Sequence, residues 1–307
     1  MFFDPTATAP VFERVIGEVF EADQQMNDFF YRAMGYAMLG KPSEQIFLIL
    51  YGPSSGNGKN TLMDAVQYVL GNYSTTLPTN AIMTKSHVSD GATPSLARLA
   101  GKRLAIVSEP NSKHAIDSGL VKQMTGDRYL PTREMYGATR DILIEFVLAM
   151  SANFVPELRE DDKGMWRRLR VIPFNRAFTE EEKDTTIPER LRKEASGILN
   201  LLLAGIRDYL ANGLQPPAKV LAAGSDQRRS VDPIANFIEE TMLVGVSDET
   251  PMRMIFPMYE TWSRQNPDFP RLTKHQISKK LEEKGHKKTV RGNLPYFHGL
   301  RPIEMPA

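Results

Sequence analysis

One segment constrains the fold of this chain more than any other, because it requires a strand before it and a helix after it. It reads Gly52-Pro53-Ser54-Ser55-Gly56-Asn57-Gly58-Lys59-Asn60-Thr61. The apolar run Ile46–Tyr51 is typical of a buried parallel strand, and Thr61–Leu70 has a helical pattern. Glycines let backbone amides turn toward a polyphosphate, the helix start adds positive charge, and a lysine reaches the outer phosphates. The segment therefore predicts a phosphate-binding loop for a nucleoside triphosphate.

The loop departs from the usual pattern in two ways. Gly52 lies one residue too far from Gly58, and Asn60 occupies the position where a serine or threonine usually binds Mg²⁺. Either Asn60 positions the ion through water, or the hydroxyl of Thr61 substitutes. A glycine-rich turn that merely contains a lysine is the structural alternative. The candidate nucleotide-binding residues are Gly52, Gly56, Asn57, Gly58, Lys59, Asn60, Thr61 and Ser108, of which Asn60, Thr61 and Ser108 are the candidate metal ligands.

Three later apolar runs predict further buried strands, separated by helical patterns. This alternation indicates an α/β fold with a parallel sheet covered by helices. The three runs are Arg103–Ser108, Ile142–Met150 and Leu169–Phe174. We expect the first of them to lie beside the strand that precedes the loop.

The ends of these strands carry the candidate catalytic side chains. Glu109, after the first run, would polarise the attacking water, with Ser108 helping to order Mg²⁺. Asn153, after the second, would contact the γ-phosphate or that water; an ordinary turn asparagine is the alternative. Arg167 and Arg168 precede the third, and an arginine beside the transferring phosphoryl group accelerates hydrolysis about 10³–10⁵-fold. A solvated basic pair is their alternative role, but the order of loop, acid, asparagine and arginine favours catalysis.

These motifs resemble superfamily 3 DNA helicases, specifically the phage- and plasmid-type primase-helicases related to the poxvirus primase-helicase. The matching segments are Asn57-Gly58-Lys59, Ser108-Glu109-Pro110, Lys122-Gln123-Met124-Thr125-Gly126-Asp127, Asn153 with Pro156, and Trp166-Arg167-Arg168-Leu169 with Ile172-Pro173-Phe174. The resemblance covers nearly the whole chain. It implies an AAA+-like P-loop NTPase core, ATP and Mg²⁺ as cofactors, a hexameric ring in which the neighbouring subunit supplies the arginine, expected to be Arg168, and 3′→5′ movement on single-stranded DNA. The family's primase half has no counterpart here, so we expect a stand-alone helicase or part of a longer product.

The pattern along the chain predicts four segments. They are a helical preamble or oligomerisation segment at 1–43, the P-loop core at 44–212, a linker at 213–230, and a C-terminal winged-helix module at 231–307. One helix is expected over Pro188–Asn212, at the end of the core. In the last segment, helical patterns followed by a hairpin over Lys287–Pro302 give the outline of a winged helix.

Two regions are candidates for DNA contact. Extended runs around Gly137 predict a hairpin, which in the resembling family enters the ring channel, where basic side chains meet phosphate and an aromatic ring stacks on a base. The basic tail Arg271–Arg301 is the second. Packing of Tyr136 on its own hairpin and a solvated lysine face are the alternatives. The candidate residues are Lys122, Arg133, Tyr136, Arg140, Lys279, Lys280, Lys287 and Lys288.

Composition narrows the function classes. The chain has no cysteine and its five histidines lack ligand spacing, so thiolate or histidine metal chemistry finds no support. No apolar run reaches membrane-spanning length, and we expect the host-cell cytoplasm as location. Three functions compete: a replicative helicase of a phage or mobile element, acting on single-stranded and forked DNA with a primase or polymerase; a nucleotide-switched origin-binding initiator; and an AAA+ protein remodeller. The hairpin favours the first, and Asn60 slightly favours the second.

Overall fold

The computed structural model describes residues 2–84, 93–108, 115–153, 158, 162–267 and 269–303. The chain divides into two compact units, Met1–Ser225 and Asp226–Ala307. Each has its own cluster of buried apolar side chains. Burial of such clusters is the main driving force of folding, so each unit has a core of its own.

A parallel sheet forms the centre of the first unit. Its strands are β1 (Phe47–Tyr51), β2 (Ser74–Leu77), β3 (Leu104–Val107), β6 (Val147–Ala152) and β7 (Leu169–Pro173), while β4 (Tyr129–Arg133) and β5 (Thr139–Leu143) form a separate antiparallel hairpin. The strand order is β2-β3-β6-β1-β7, and every pairing in it is parallel. The carboxyl ends of all five strands therefore lie at one edge of the sheet.

Helices cover this sheet. They are α1 (Pro10–Val19), α2 (Gln24–Met38), α3 (Lys59–Leu70), α4 (Pro94–Ala97), α5 (Ser118–Gly126), α6 (Lys163–Trp166), α7 (Ile187–Lys193), α8 (Ala195–Asn212) and α9 (Ala218–Ser230). Short 3₁₀ turns occur at Gly71–Tyr73 and Thr79–Ala81. Apolar faces of α1, α2, α3, α7 and α8 share one core with residues of the sheet. Residues 1–43 thus pack into the same unit as the phosphate loop. Within the described part of the chain, no helix is long and apolar enough to cross a membrane.

Close backbone approach joins α2 to α8. A Cβ at Gly205 would lie 2.1 Å from the carbonyl oxygen of Tyr31, and one at Gly35 would lie 2.7 Å from that of Leu202. Both glycines are therefore required by packing rather than by backbone conformation. Glu194, which directly precedes α8, caps the start of α1. Its carboxylate accepts hydrogen bonds from two first-turn amides of α1, each at 3.0 Å.

The second unit alternates helices and strands around a small core. Its elements are α10 (Pro233–Thr241), β8 (Met242–Pro251), α11 (Met252–Gln265), α12 (Lys274–Glu283), β9 (Lys288–Arg291) and β10 (Leu294–Pro302). The strands form an antiparallel sheet in the order β8-β10-β9. Gly292 and Asn293, both with positive φ, make the two-residue turn between β9 and β10. Phe237 packs edge-on against Tyr259 and Trp262 in the core, and the rings of Tyr259 and Trp262 are tilted by 41° to each other.

Four sequence expectations differ from the structure. The strand expected over Ile142–Met150 is two strands: its start belongs to β5 and its end to β6. The strand β3 does not neighbour β1, because β6 lies between them. The helix expected over Pro188–Asn212 breaks at Glu194, whose side chain caps α1. The segment 213–230, expected as a linker, contains helix α9.

Candidate functional site

The phosphate loop (52–59) connects β1 to α3. Gly56 and Gly58 have φ angles of 70° and 80°, a region that residues with a Cβ rarely adopt. A Cβ at Gly58 would lie 2.5 Å from a methyl group of α1, and one at Gly52 would lie 2.2 Å from Nδ2 of Asn57. Gly58 is also the N-cap residue of α3 and has no side chain of its own to cap the helix, and a helix start of this kind favours a bound anion.

Asn57 supports the loop from inside. Its side chain is 4% exposed, its Nδ2 donates to the carbonyl oxygen of Ser54 at 2.6 Å, and its Oδ1 accepts from the Lys59 amide at 3.5 Å. The amide of Phe178, after β7, donates to the carbonyl oxygen of Gly56 at 2.9 Å. These contacts hold a loop one residue longer than the usual pattern in a defined shape.

The structure brings Lys59 and Asn153 together. The Lys59 ammonium donates to Oδ1 of Asn153 at 2.8 Å and to the carbonyl oxygen of Gly52 at 2.9 Å. Lys59 is 4% exposed. Asn153 directly follows β6, the strand that pairs with β1. A cationic donor and an amide that can donate or accept are thus held at the carboxyl edge of the sheet, where polyphosphate oxygens would be bound.

The candidate metal ligands are all oxygen donors, which suits the preference of Mg²⁺. Asn60 is exposed in the first turn of α3, and its Oδ1 accepts from the hydroxyl of Ser151 at 3.3 Å. Thr61 is half-buried beside it. Ser151, near the end of β6, was not singled out from the sequence, and only the pairing of β6 with β1 shows that it reaches Asn60. Among the described residues, no three histidine or acidic side chains gather as a metal cluster.

The acid strand ends at the same edge but one strand farther away. Ser108 is exposed, and its amide donates to the carbonyl oxygen of Leu77 in β2 at 2.9 Å. Since neighbouring strands lie about 4.8 Å apart, the end of β3 is roughly 10 Å from that of β1. Glu109 lies outside the residues that the structure describes, as does Pro156.

The arginine pair lies at the opposite edge of the sheet. The Phe47 amide, at the start of β1, donates to the carbonyl oxygen of Arg168 at 2.8 Å. A five-residue strand such as β1 is roughly 16 Å long, which exceeds the reach of an arginine side chain. Neither Arg167 nor Arg168 therefore reaches the phosphate loop of its own chain.

The two arginines differ in environment. Arg168 is 7% exposed; its Nε donates to Thr125 Oγ1 at 3.0 Å and its Nη1 to the carbonyl oxygen of Gly164 at 2.8 Å. Burial, and secondarily the charge of Arg167, lowers the pKa of Arg168, which stays protonated at neutral pH. Arg167 is exposed, and its Nη2 donates to Gln45 Oε1 at 3.2 Å. Arg167 is thus the arginine that is accessible from outside the chain.

The motif at 122–127 holds this pair in place. A Cβ at Gly126 would lie 2.9 Å from Nη2 of Arg168, so glycine leaves room for the guanidinium. Lys122, a candidate for DNA contact, forms an ion pair with Asp162 at 2.6 Å. Burial opposes ionisation of Asp162, but hydrogen bonds from Lys122 and the Met165 amide keep its pKa below the usual value. Asp162 caps α6, which leads into the arginine pair.

The hairpin β4–β5 presents an aromatic tip. Tyr136 is 100% exposed with φ 61°, and the adjacent Met135 is 64% exposed. Tyr136 therefore does not pack on its own hairpin. Arg133 donates to the carbonyl oxygen of Gly137 at 3.1 Å, and Arg140 pairs with Glu134 at 2.5 Å. The two arginines thus brace the turn that carries Tyr136.

The basic candidates of the second unit are distributed over α12 and the start of the hairpin that β9 forms with β10, which is called the β9 hairpin. Lys279 and Lys287 are exposed, and Lys280 is half-buried. Lys279 is 4.0 Å from Glu283, a spacing at which an exposed ion pair contributes little. Lys288 is bound to Glu282 and Ser278, both at 3.0 Å. The hydrogen bonds that Glu282 accepts from Lys288 and from Ser278 lower its pKa. Lys279 and Lys287 are therefore the better placed for phosphate contact.

The fold and the site are those of a mixed α/β protein with a P-loop-like core. A family model described as "Family of unknown function (DUF5906)" matches residues 50–168, from the end of β1 to the arginine pair. The chain is 27% identical over 266 residues to Putative helicase L207/L206 of Acanthamoeba polyphaga mimivirus, covering 80% of this chain and 28% of that protein. It is 27% identical over 304 residues to Putative helicase 022R of Frog virus 3, covering 92% and 31%.

A third relative, Putative helicase V13 of Sputnik virophage, is 26% identical over 278 residues, covering 82% of this chain and 35% of that protein. The chain therefore spans about a third of the length of these viral relatives. Among solved structures, the C-terminal region of NrS-1 in its A form matches with a TM-score of 0.62 and 15% identity, over 97% of this chain and 76% of that one. At that identity the match establishes similarity of fold.

Proposed function

We propose that this chain is the ATP-hydrolysing motor of a ring-forming DNA helicase of superfamily 3, with an AAA+-like core. The helicase would unwind DNA during replication of a virus or mobile element in the host-cell cytoplasm. One observation carries the proposal. The loop with Lys59 and Asn153 lies at the carboxyl edge of the sheet, and the exposed Arg167 lies at the amino edge. A chain built this way completes its site when the loop of one subunit meets the arginine of the next. A hexameric ring repeats that contact around a closed circle.

Within this proposal each site residue has a role. Gly52, Gly56, Asn57, Gly58 and Lys59 would bind the phosphates of ATP, Asn60 and Ser151 would hold Mg²⁺ at the edge of the loop, and Asn153 would orient the attacking water or the γ-phosphate. When bound, Mg²⁺ would neutralise charge on the phosphates. Glu109 is proposed as the base on the grounds of its sequence alone. Because Arg168 is buried, we assign it to positioning, and Arg167 to the phosphoryl charge of the neighbouring subunit's nucleotide.

The DNA-contacting parts are proposed from exposure and charge. The fully exposed Tyr136 at the hairpin tip would stack on single-stranded bases in the ring channel. The second unit has the element order helix, strand, helix, helix and hairpin, which supports a winged helix whose Lys279 and Lys287 contact phosphate. The named viral relatives support a helicase in general.

The deciding experiment measures ATP hydrolysis with and without single-stranded DNA. Wild type should be stimulated by DNA, Lys59→Ala should lose turnover, and Arg167→Ala should lower kcat by about 10³-fold with little change in nucleotide affinity. Lys193→Ala is the matched control, because it removes a positive charge from an exposed side chain of α7. It should hydrolyse ATP like wild type. Turnover of Arg167→Ala at the wild-type rate would overturn the proposed role of the pair.

The second candidate is a nucleotide-switched origin-binding initiator with weak or no unwinding. The observation that favours it is Asn60, an amide where a hydroxyl usually binds Mg²⁺. Forked duplexes separate the two functions. The helicase should unwind a fork with a 3′ tail in an ATP-dependent reaction, in line with 3′→5′ movement. An initiator should bind the duplex in an ATP-dependent manner and leave it paired.

A further inference from the structure

We propose that Gln45 is a positioning residue that orients Arg167 toward the nucleotide of the neighbouring subunit. This inference rests on the proposed function. Gln45 Oε1 accepts hydrogen bonds from Nη2 of Arg167 at 3.2 Å and from Nη2 of Arg168 at 3.5 Å. One amide oxygen therefore joins the exposed arginine to the buried one.

The buried arginine supplies a fixed reference point. Arg168 is held by Thr125 and by the carbonyl oxygen of Gly164, and it is almost fully buried. Arg167, by contrast, is exposed, and within the described part of the chain Gln45 is the side chain that accepts from its guanidinium. A long, exposed arginine without such a partner samples many rotamers, and fixing one of them costs conformational entropy. Gln45 removes part of that freedom before the neighbouring nucleotide arrives.

The backbone at Gln45 is consistent with a constrained role. Gln45 has φ 52°, in the left-handed region that residues with a side chain seldom occupy. It stands immediately before Ile46 and β1, the strand that leads to the phosphate loop. The strand β1 is paired on both sides, with β6 and β7, which limits its movement. The base of Gln45 is therefore anchored to the same strand that carries the chain's own loop.

The test uses mixed assemblies in which two defects complement each other. A Lys59→Ala subunit has a phosphate loop that does not support hydrolysis but an intact Arg167. An Arg167→Ala subunit has an intact loop but lacks the arginine. Mixing the two should restore ATP hydrolysis at each junction where an intact loop meets an intact arginine. The Lys59→Ala subunit, which supplies the intact arginine and is called the donor, is then replaced by a Lys59→Ala/Gln45→Leu subunit. The leucine removes the oxygen that accepts from Arg167. Because the donor's own loop is already inactive, any effect of Gln45 on the rate of ATP hydrolysis must act at the loop of the neighbouring subunit.

We expect the Leu-bearing donor to lower the complemented rate about 10- to 100-fold, since small misplacements of a catalytic group have costs of that order. The KM for ATP, set by the intact loop of the partner, should not change. A Lys59→Ala/Gln45→Glu donor keeps an acceptor oxygen and should recover part of the rate. Size-exclusion chromatography of each mixture shows whether assembly is preserved.

The outcomes separate the two levels of the proposal. If Lys59→Ala and Arg167→Ala subunits do not complement, although each assembles, the proposed trans-acting arginine is overturned and this inference with it. If they complement, and the Leu-bearing donor supports the same rate as its parent, the positioning role of Gln45 is overturned while the proposed function stands. A parallel loss in the Leu- and Glu-bearing donors would also overturn the role of the acceptor oxygen.

Discussion

At the scale of single residues, the site depends on where a few polar atoms are held. Lys59, at the start of α3, is bound to Asn153, and the next residue, Asn60, is bound to Ser151. Both links join α3 to the end of β6. Nucleotide chemistry at this edge therefore depends on side chains from two elements that are about 90 residues apart in sequence.

The identity of the residue that binds Mg²⁺ is open to a direct test. Asn60 faces the end of β6, whereas Thr61 is the next residue around the helix. Asn60→Ser would place a hydroxyl at the usual position, so the Mg²⁺ concentration for half-maximal ATP hydrolysis should fall about five- to tenfold, equivalent to roughly 1–1.4 kcal/mol of binding.

Thr61→Val is the matched change, because it removes a hydroxyl without changing size. It should leave the Mg²⁺ dependence unaltered. A Thr61→Val variant that needs much more Mg²⁺, together with an Asn60→Ser variant that does not differ from wild type, would assign the ion to Thr61 instead.

At the scale of elements, most strands of the sheet were predictable from local signals and their order was not. The strand β1 and helix α3 follow from an apolar run, a glycine-rich loop and a helical pattern, all of which are local signals. The edge strand β2 was missed because it is short and polar, with alternate residues exposed. The strand order was not accessible, since crossover connections place β6 between β1 and β3 without a local signature.

The candidate site shows the same division. Lys59 and Asn153 could be proposed from loop and strand-end positions, and the structure brings them together. Gln45 and Ser151 could not, because their contacts with Arg167 and Asn60 arise only from tertiary packing. For Arg167 and Arg168, sequence order does not reveal which one is buried; packing against Thr125 decides that.

A prediction at this scale concerns the crossing of α2 and α8. Gly205→Ala would place a Cβ 2.1 Å from the carbonyl oxygen of Tyr31, a backbone atom that cannot move independently. The free energy of unfolding should fall by about 3 kcal/mol, as for other overpacked cores. Equilibrium denaturation in urea, followed by helical circular dichroism, measures this change.

Gly17→Ala, in helix α1 of the same unit, is the control. No atom lies within 4 Å of a Cβ at that position, so the helix propensity of alanine should raise stability by roughly 0.5–1 kcal/mol. Equal effects of the two substitutions would show that the two helices do not approach as closely as the structure indicates.

At the scale of the whole molecule, the two candidate DNA elements belong to different units and use different chemistry. Tyr136 offers a fully exposed ring at the tip of a braced hairpin in the first unit. Lys279 and Lys287 offer exposed ammonium groups in the second. Stacking depends weakly on salt, whereas phosphate contact releases counterions and so weakens steeply as salt increases. Salt titration can therefore resolve the two contributions within the intact chain.

We expect binding of single-stranded DNA to weaken as salt increases, and the salt dependence to distinguish four variants. Tyr136→Ala should lower affinity by about 1–3 kcal/mol at every salt concentration and leave the slope of log K against log salt unchanged. Lys279→Ser and Lys287→Ser should each reduce the magnitude of that slope by roughly 0.7, the value for one phosphate contact on a single strand. Lys193→Ser removes an equally exposed charge from α7 and should do neither. A slope that falls equally in all three lysine variants would mean that net charge, rather than a binding surface on α12 and the β9 hairpin, attracts the DNA.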